Sequence, residues 1–453
     1  MSAILPRARQ LEFQEWEFGL FIHLGVYTYN DLPGSKRDDP NTFSPRKLDC
    51  GQWIRTARDA GMRYAVLTAK HHDGFCLWPT AHGDFSTRQS RWRSGKGDVV
   101  REFTDACRKY GLKTGIYYSP YDAAMPLYKS DPKAYDDYLI AHMRELMGNY
   151  GPIDIIWFDG ANSEGHPFDW PRIVVEIRRM QPEILFFSMG DPDYRWIGNE
   201  FGLAGVHTSA IAATEYALDP AQKSVLRWLP GEADCRMRRH SWGWSAHDEH
   251  TVKSIDELMG LYYYSIGRGC NLLLNIGPDP DGLLPSADAR RLLEFGREIR
   301  RRFSSPVATL DKIERMGNRW IFQKPDFTLV DHVVLQEDLR YGEHVKRFAL
   351  QIHQGDPHND RMPPITLWEG THIGHKAIVR IPPVAIMNMV VNVLEADGEV
   401  HMRNIEYHYI GENRPVAVTA ASAKTRKQAL RRMRAKPARR ARLAKRPGEK
   451  EHR

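Results

Sequence analysis

The chain has 453 residues, 42% of them apolar, and a formal charge of +7. That length exceeds what one hydrophobic core usually serves, and the apolar share is ordinary for a soluble globular protein, which excludes a fibrous or wholly disordered chain. The positive charge is local, since residues 414–453 hold 15 Lys and Arg against two acidic residues while the remainder carries 49 basic and 55 acidic ones.

The first residues, MSAILPRARQLEFQEWEFG, contain no apolar signal core, and no later apolar run nears the roughly 20 residues of a membrane span. The expected location is the cytoplasm, or the periplasm or cell exterior if a leader is missing. Residues 18–24 read as a first strand. One pattern then recurs: an amphipathic segment stops at Gly and a short apolar strand follows. It occurs as WIRTARDAG-MRYAVLTAKHHDG, EFTDACRKYG-LKTGIYYSP and LIAHMRELMGNYG-PIDIIWFDG. Gly61, Gly111 and Gly151 fit the left-handed residue that closes a helix. The runs 65–68, 114–118 and 153–158 read as buried parallel strands, with 184–189 a fifth and 272–276 one of the last.

Repetition of helix, Gly and strand means βαβ units, hence a doubly wound sheet or a (β/α)-barrel. No Gly-rich phosphate fingerprint follows the first strand. His23, His71, His72, Tyr117, Asp159 and Glu200 fall at or just beyond the ends of different strands, and in barrels that rim carries the chemistry. Residues 1–303 are therefore expected to form a (β/α)8-like (TIM) barrel ending in a helix over 287–303. Residues 304–413 change to short apolar or alternating runs such as DHVVLQ and MNMVVNVLEA, broken by Gly, Pro and Asp, and read as a C-terminal β-sandwich. The basic tail, 414–453, is expected to be disordered.

Five cysteines, an odd number without a C-x-x-C pair, argue against a disulfide scaffold and a thiolate zinc site. Asp159 follows the buried run IIWF; it either caps the next helix or is a carboxylate held at a ligand site. His71 and His72 are adjacent, but no second His or carboxylate cluster has metal spacing, so they read as donors to hydroxyl groups and no metal is expected. Glu200 in WIGNE and Glu232 in PGEAD are each a candidate second carboxylate or a solvated loop residue.

Together, FGLFIHLGVYTY, LTAKHHDGFCLWPT, GIYYSPYD, IIWFDG and CNLLLNIGPDPDG resemble, in order from Trp16 to Glu298, the α-L-fucosidases of glycoside hydrolase family 29. YRWIGNEFG and SIGRGCN resemble more closely the subgroup cleaving α-1,3/1,4-linked fucose. The resemblance implies a fucosylated oligosaccharide or glycoconjugate as substrate, no cofactor, and a retaining double displacement. It implies Asp159 as nucleophile, Glu200 as acid/base with Glu232 the fallback, and His23, His71, His72, Tyr117 and Trp157 as lining of the sugar pocket.

Retention requires two carboxyl groups about 5–5.5 Å apart. Asp159 is expected to be held ionised by His72 and the Trp157 indole, and Glu200 to be raised by neighbouring charge and partial burial. Two places depart from the family pattern. The loop after the first strand reads Asn30-Asp31-Leu32-Pro33-Gly34 where a Glu-Trp pair is usual, and Arg238-Arg239-His240-Ser241-Trp242 replaces R-P-G-W-F. Both are expected near the substrate, which leaves an α-L-galactosidase or a non-catalytic glycan-binding protein as alternatives. For the tail, salt-sensitive contact with nucleic acid or an acidic membrane surface is the alternative to a solvated extension. The sequence leaves the oligomeric state open.

Overall fold

In the computed structural model, residues 4–30, 38–213, 225–359 and 362–411 are described. The basic tail and positions 31–34 of the first loop lie outside them. Eight parallel strands make up one sheet: β1 Phe18–Ile22, β2 Tyr64–Lys70, β3 Lys113–Tyr118, β4 Ile155–Phe158, β5 Leu185–Phe187, β6 Arg195–Trp196, β7 Gly231–Arg236 and β8 Asn271–Asn275. Their order is β5-β4-β3-β2-β1-β8-β7-β6. A parallel bridge between Phe187 and Tyr194 joins the two outer strands, so the sheet closes as the expected barrel.

Among the described residues, seven longer helices accompany it: α1 Ala8–Trp16, α2 Cys50–Ala60, α3 Val99–Tyr110, α4 Pro132–Asn149, α5 Trp170–Met180, α6 Ile255–Tyr264 and α7 Ser286–Phe303. Local chemistry sets their ends. Asp49 and Asp98 accept from the backbone N–H groups of Gln52 and Arg101 at the starts of α2 and α3. Gly61 and Gly111 end the same helices at φ +96° and +74°, the conformation that costs Gly nothing.

Strands β6 and β7 are not anticipated by the sequence patterns. The first has two residues, and the second, GEADCR, lacks the apolar run of a doubly buried strand. Its inner face explains this. Side chains alternate across a strand, and Glu232 and Asp234 point inward while Cys235 joins the apolar layer beneath the helices.

The barrel interior is aromatic, built from Phe21, Tyr64, Val66, Tyr117, Ile155, Trp157, Leu185, Phe187, Tyr194 and Leu273. Helix α1 adds Phe13 and Trp16 to it. Gly19 makes room for this layer, because a Cβ there would lie 2.5 Å from the Tyr64 ring. The same alternation continues to the strand ends, so that His23 follows Phe21, and Asp159 follows Trp157, on the inner side.

The C-terminal β region comprises β9 Ile313–Met316, β10 Arg319–Glu337, β11 Val345–Ile352, β12 Ile365–Gly370, β13 Ala377–Ala396 and β14 Met402–His408, all antiparallel. The long strands β10 and β13 carry register shifts between Gln323 and Thr328 and between Val330 and His332. Such bulges bend a strand, and one continuous hydrogen-bonded sheet thus encloses its own apolar core. The stretch Val330–Glu337 is buried on both faces. Val333 faces that core, while His332 bonds Tyr263 of α6 at 3.0 Å.

Candidate active site

A cavity of about 840 Å³ opens at the C-terminal ends of the barrel strands, within the ~300–1,000 Å³ typical of small-molecule sites. His23, His71, His72, Tyr117, Trp157, Asp159 and Glu200 all line it. Glu232, the fallback acid, does not.

Asp159 sits just past β4. Its Oδ2 accepts from the Tyr117 hydroxyl at 2.7 Å and lies 3.4 Å from His72 Nε2, and its Oδ1 accepts from the Ala161 N–H at 2.9 Å. Burial pushes this carboxyl up, but the His72 bond and charge, the Ala161 amide and the Tyr117 hydroxyl outweigh it and hold the group at about 2. It is an ionised carboxylate facing a cavity. The cap reading falls away, because α5 is capped by Asp169.

The imidazoles are oriented from behind. Ser119 Oγ donates to the Tyr121 carbonyl at 3.0 Å and therefore accepts from His72 Nδ1 at 2.6 Å. Each ring nitrogen of His72 thus faces an acceptor. Asn275 donates its amide to the Trp242 carbonyl at 2.7 Å, so its Oδ1 accepts from His23 Nδ1, also at 2.7 Å. Burial lowers His23 to about 3, so the ring is neutral and Nε2 is left as an acceptor for a ligand hydroxyl. His71 lies parallel to Tyr117, 5.5 Å between ring centroids and 10° between planes. Strand β2 ends at Lys70, and the turn after it brings both neighbouring histidines to the same cavity.

The Trp157 indole does not hold Asp159. It donates to Glu232 Oε1 at 2.9 Å, while Tyr64 donates to Oε2 at 2.7 Å. Inner-facing side chains stack in layers, and Glu232 lies beneath the cavity, where it meets Tyr64 and the indole N–H of Trp157, whose ring lines the cavity above. Burial pushes Glu232 up to about 7 against those two donors. Its folded value is above its unfolded one, so its contribution to stability is complete at low pH and is lost as pH rises from about 4.5 to 7. In Glu232→Gln that loss is absent, so the Tm of the variant relative to wild type should climb between pH 4.5 and 7 in calorimetry. A constant difference would show that Glu232 does not titrate there.

Glu200 is exposed at the mouth and accepts from Trp242 Nε1 at 3.3 Å; the expected partial burial is not found. Trp242 also packs on His23, 5.0 Å between centroids, and so links the floor of the cavity to its rim. Arg238, expected near the substrate, is instead buried and paired with Asp248 and Asp288 at 2.8 and 2.7 Å, which ties the loop after β7 to α7.

The cavity also takes in Trp242, from the stretch expected near the substrate, and Glu164, Arg195, Trp196 and Asp234, which sequence reasoning left out of the site. Asp234 is 4% exposed and accepts from Trp196 Nε1 at 2.7 Å. Burial pushes it up to about 8; the Trp196 bond opposes that, and the charges of Glu232 and Glu200 add to it. The signal available in the sequence was the pair of acids two residues apart in GEADC.

The family model for α-L-fucosidase matches residues 28–301. Alpha-L-fucosidase 1 of Arabidopsis thaliana is 32% identical over 424 residues, covering 83% of this chain and 81% of that protein. The plasma α-L-fucosidase of Rattus norvegicus is 27% identical over 323 residues, covering 63% and 67%. A crystal structure of a glycoside hydrolase 29 family member from an unknown rumen bacterium superposes with a TM-score of 0.80 at 32% identity, covering 93% of this chain and 79% of that one. With a matching barrel, a matching C-terminal β region and a carboxylate-lined cavity at the barrel mouth, the chain belongs to the α-L-fucosidase family, glycoside hydrolase family 29, and is a glycoside hydrolase.

Proposed function

We propose that the enzyme removes terminal α-L-fucose, α-1,3- or α-1,4-linked, from glycans by a retaining double displacement, with Asp159 as nucleophile and Glu200 as acid/base. The observation that carries this reading is the Asp159 carboxylate, held ionised in the cavity by Tyr117, His72 and a backbone amide, with Glu200 in the same cavity. A carboxylate anchored by three donors is fixed in direction, which favours attack at one carbon.

In the first step an Asp159 oxygen bonds to the anomeric carbon as the bond to the leaving oxygen breaks, and Glu200 gives its proton to that oxygen. A β-linked fucosyl-enzyme results. In the second step the Glu200 carboxylate takes a proton from water, whose oxygen attacks the anomeric carbon and displaces Asp159. His23 Nε2 and the neighbouring rings hold the sugar, and the aromatic walls give its methyl group an apolar contact. The linkage assignment rests on the resemblance of YRWIGNEFG to the α-1,3/1,4 subgroup.

Proton NMR of the first-formed sugar, taken before mutarotation, tests this reading. Hydrolysis of an aryl α-L-fucoside should release α-L-fucose first. Initial β-L-fucose would mean single displacement by water and would remove the nucleophile from Asp159.

A further inference from the structure

A Trp side chain offers a broad apolar face and, through its indole N–H, a polar handle that can fix the ring. Trp196 ends β6 in the cavity wall, four residues before Glu200, and is 40% exposed. Its ring is nonetheless fixed, because the indole N–H donates to Asp234 Oδ1 at 2.7 Å. Asp234 is 4% exposed on the inner face of β7. Burying a carboxyl group is costly, and here the group's bond locks an aromatic face that points into open space. The floor of the cavity, with Asp159, Tyr117, His72 and His23, is a separate and more buried region. The fucosyl unit, whose anomeric carbon must meet Asp159, occupies that floor. The group that leaves must depart toward Glu200, which, like Trp196, lines the cavity and is exposed.

We infer that Trp196 is the platform for the leaving group, taking the apolar C–H face of a pyranose attached to fucose, and that Asp234 is a positioning residue that holds the indole in place for it. This rests on the reading of the floor as the fucose site, and it goes further by assigning the residues that hold the sugar to which the fucose is attached. An indole face covers one side of a pyranose ring, so its removal should be felt in KM more than in kcat.

The test compares two substrates. α-L-Fucosyl fluoride has no leaving sugar, and fucosyl-α-1,4-N-acetylglucosamine has one. The readout is the ratio of kcat/KM for the disaccharide to that for the fluoride. In Trp196→Ala the ratio should fall by about tenfold or more, mainly through KM, as expected for lost apolar contact with one ring. Asp234→Leu, which removes the acceptor, should lower the ratio in the same direction. Asp234→Asn, which keeps an acceptor oxygen, should restore most of it. Far-UV circular dichroism and fluoride turnover confirm that each variant is folded. A ratio unmoved in Trp196→Ala overturns the platform. A fall in Trp196→Ala without one in Asp234→Leu overturns the role of Asp234. Failure of the wild type to hydrolyse the fluoride would instead overturn the fucosidase reading beneath both.

Discussion

Replacing Asp159 with alanine should cut turnover of an aryl α-L-fucoside by about ten-thousand-fold or more, because in the proposed double displacement Asp159 is the group that forms the glycosyl-enzyme. The fold should survive. The carboxyl is held at about 2 in place of its ordinary 3.8, so its contribution to stability is present above pH 4, at about 2 kcal/mol, and is lost as pH falls toward 2. The alanine variant forfeits that pH-dependent contribution, which is small beside the stability of most domains. Tyr117 and His72 lose an acceptor, but the cavity is open and water can replace it. Steady-state kinetics with a thermal melt separates the two effects. Near-wild-type turnover in a folded variant would exclude Asp159 as nucleophile.

Replacing Glu200 with alanine should act differently on each step. With a sugar leaving group that needs a proton, kcat/KM should fall by about 10²- to 10⁴-fold. With an aryl leaving group of low pKa the first step needs little help, and the fucosyl-enzyme then accumulates because water lacks a base. Azide needs none. It should restore turnover of the aryl fucoside and give α-L-fucosyl azide, the product of two inversions, identified by NMR. Three other carboxyl groups bear on the assignment. Glu164 and Asp234 line the same cavity, and Glu232 lies beneath it, bonded to Tyr64 and Trp157. Azide rescue of Glu164→Ala, Asp234→Ala or Glu232→Ala in place of Glu200→Ala would move the acid/base to that position.

The parts of the fold legible in the sequence are those where local chemistry and packing agree. The left-handed Gly61 and Gly111 end two helices, and the apolar runs of β2, β3 and β4 follow from burial on both faces. Strand β7 was hidden because its inner face carries Glu232 and Asp234, which break the apolar run that identifies a parallel strand. The site was legible through residues at strand ends, where alternation carries His23 and Asp159 to the inner side. Depth was not legible. Two residues along a strand rise about 6–7 Å, enough to put Asp234 in the cavity and Glu232 under its floor. The same step explains why the Trp157 indole meets Glu232 while Asp159, two residues on, meets Tyr117 and His72. Contacts between strands far apart in sequence set these levels, and no pattern within one strand encodes them.

Trapping the intermediate tests the central role most directly. Incubation with 2-deoxy-2-fluoro-α-L-fucosyl fluoride slows both steps, and the better leaving group lets the first outrun the second. Digestion and mass spectrometry should then find one fluorofucosyl unit on the peptide containing Trp157-Phe158-Asp159-Gly160, with fragmentation placing it on Asp159. A label on Glu200, Glu164 or Asp234, or hydrolysis of the probe with no covalent adduct, would contradict a nucleophile at the end of β4.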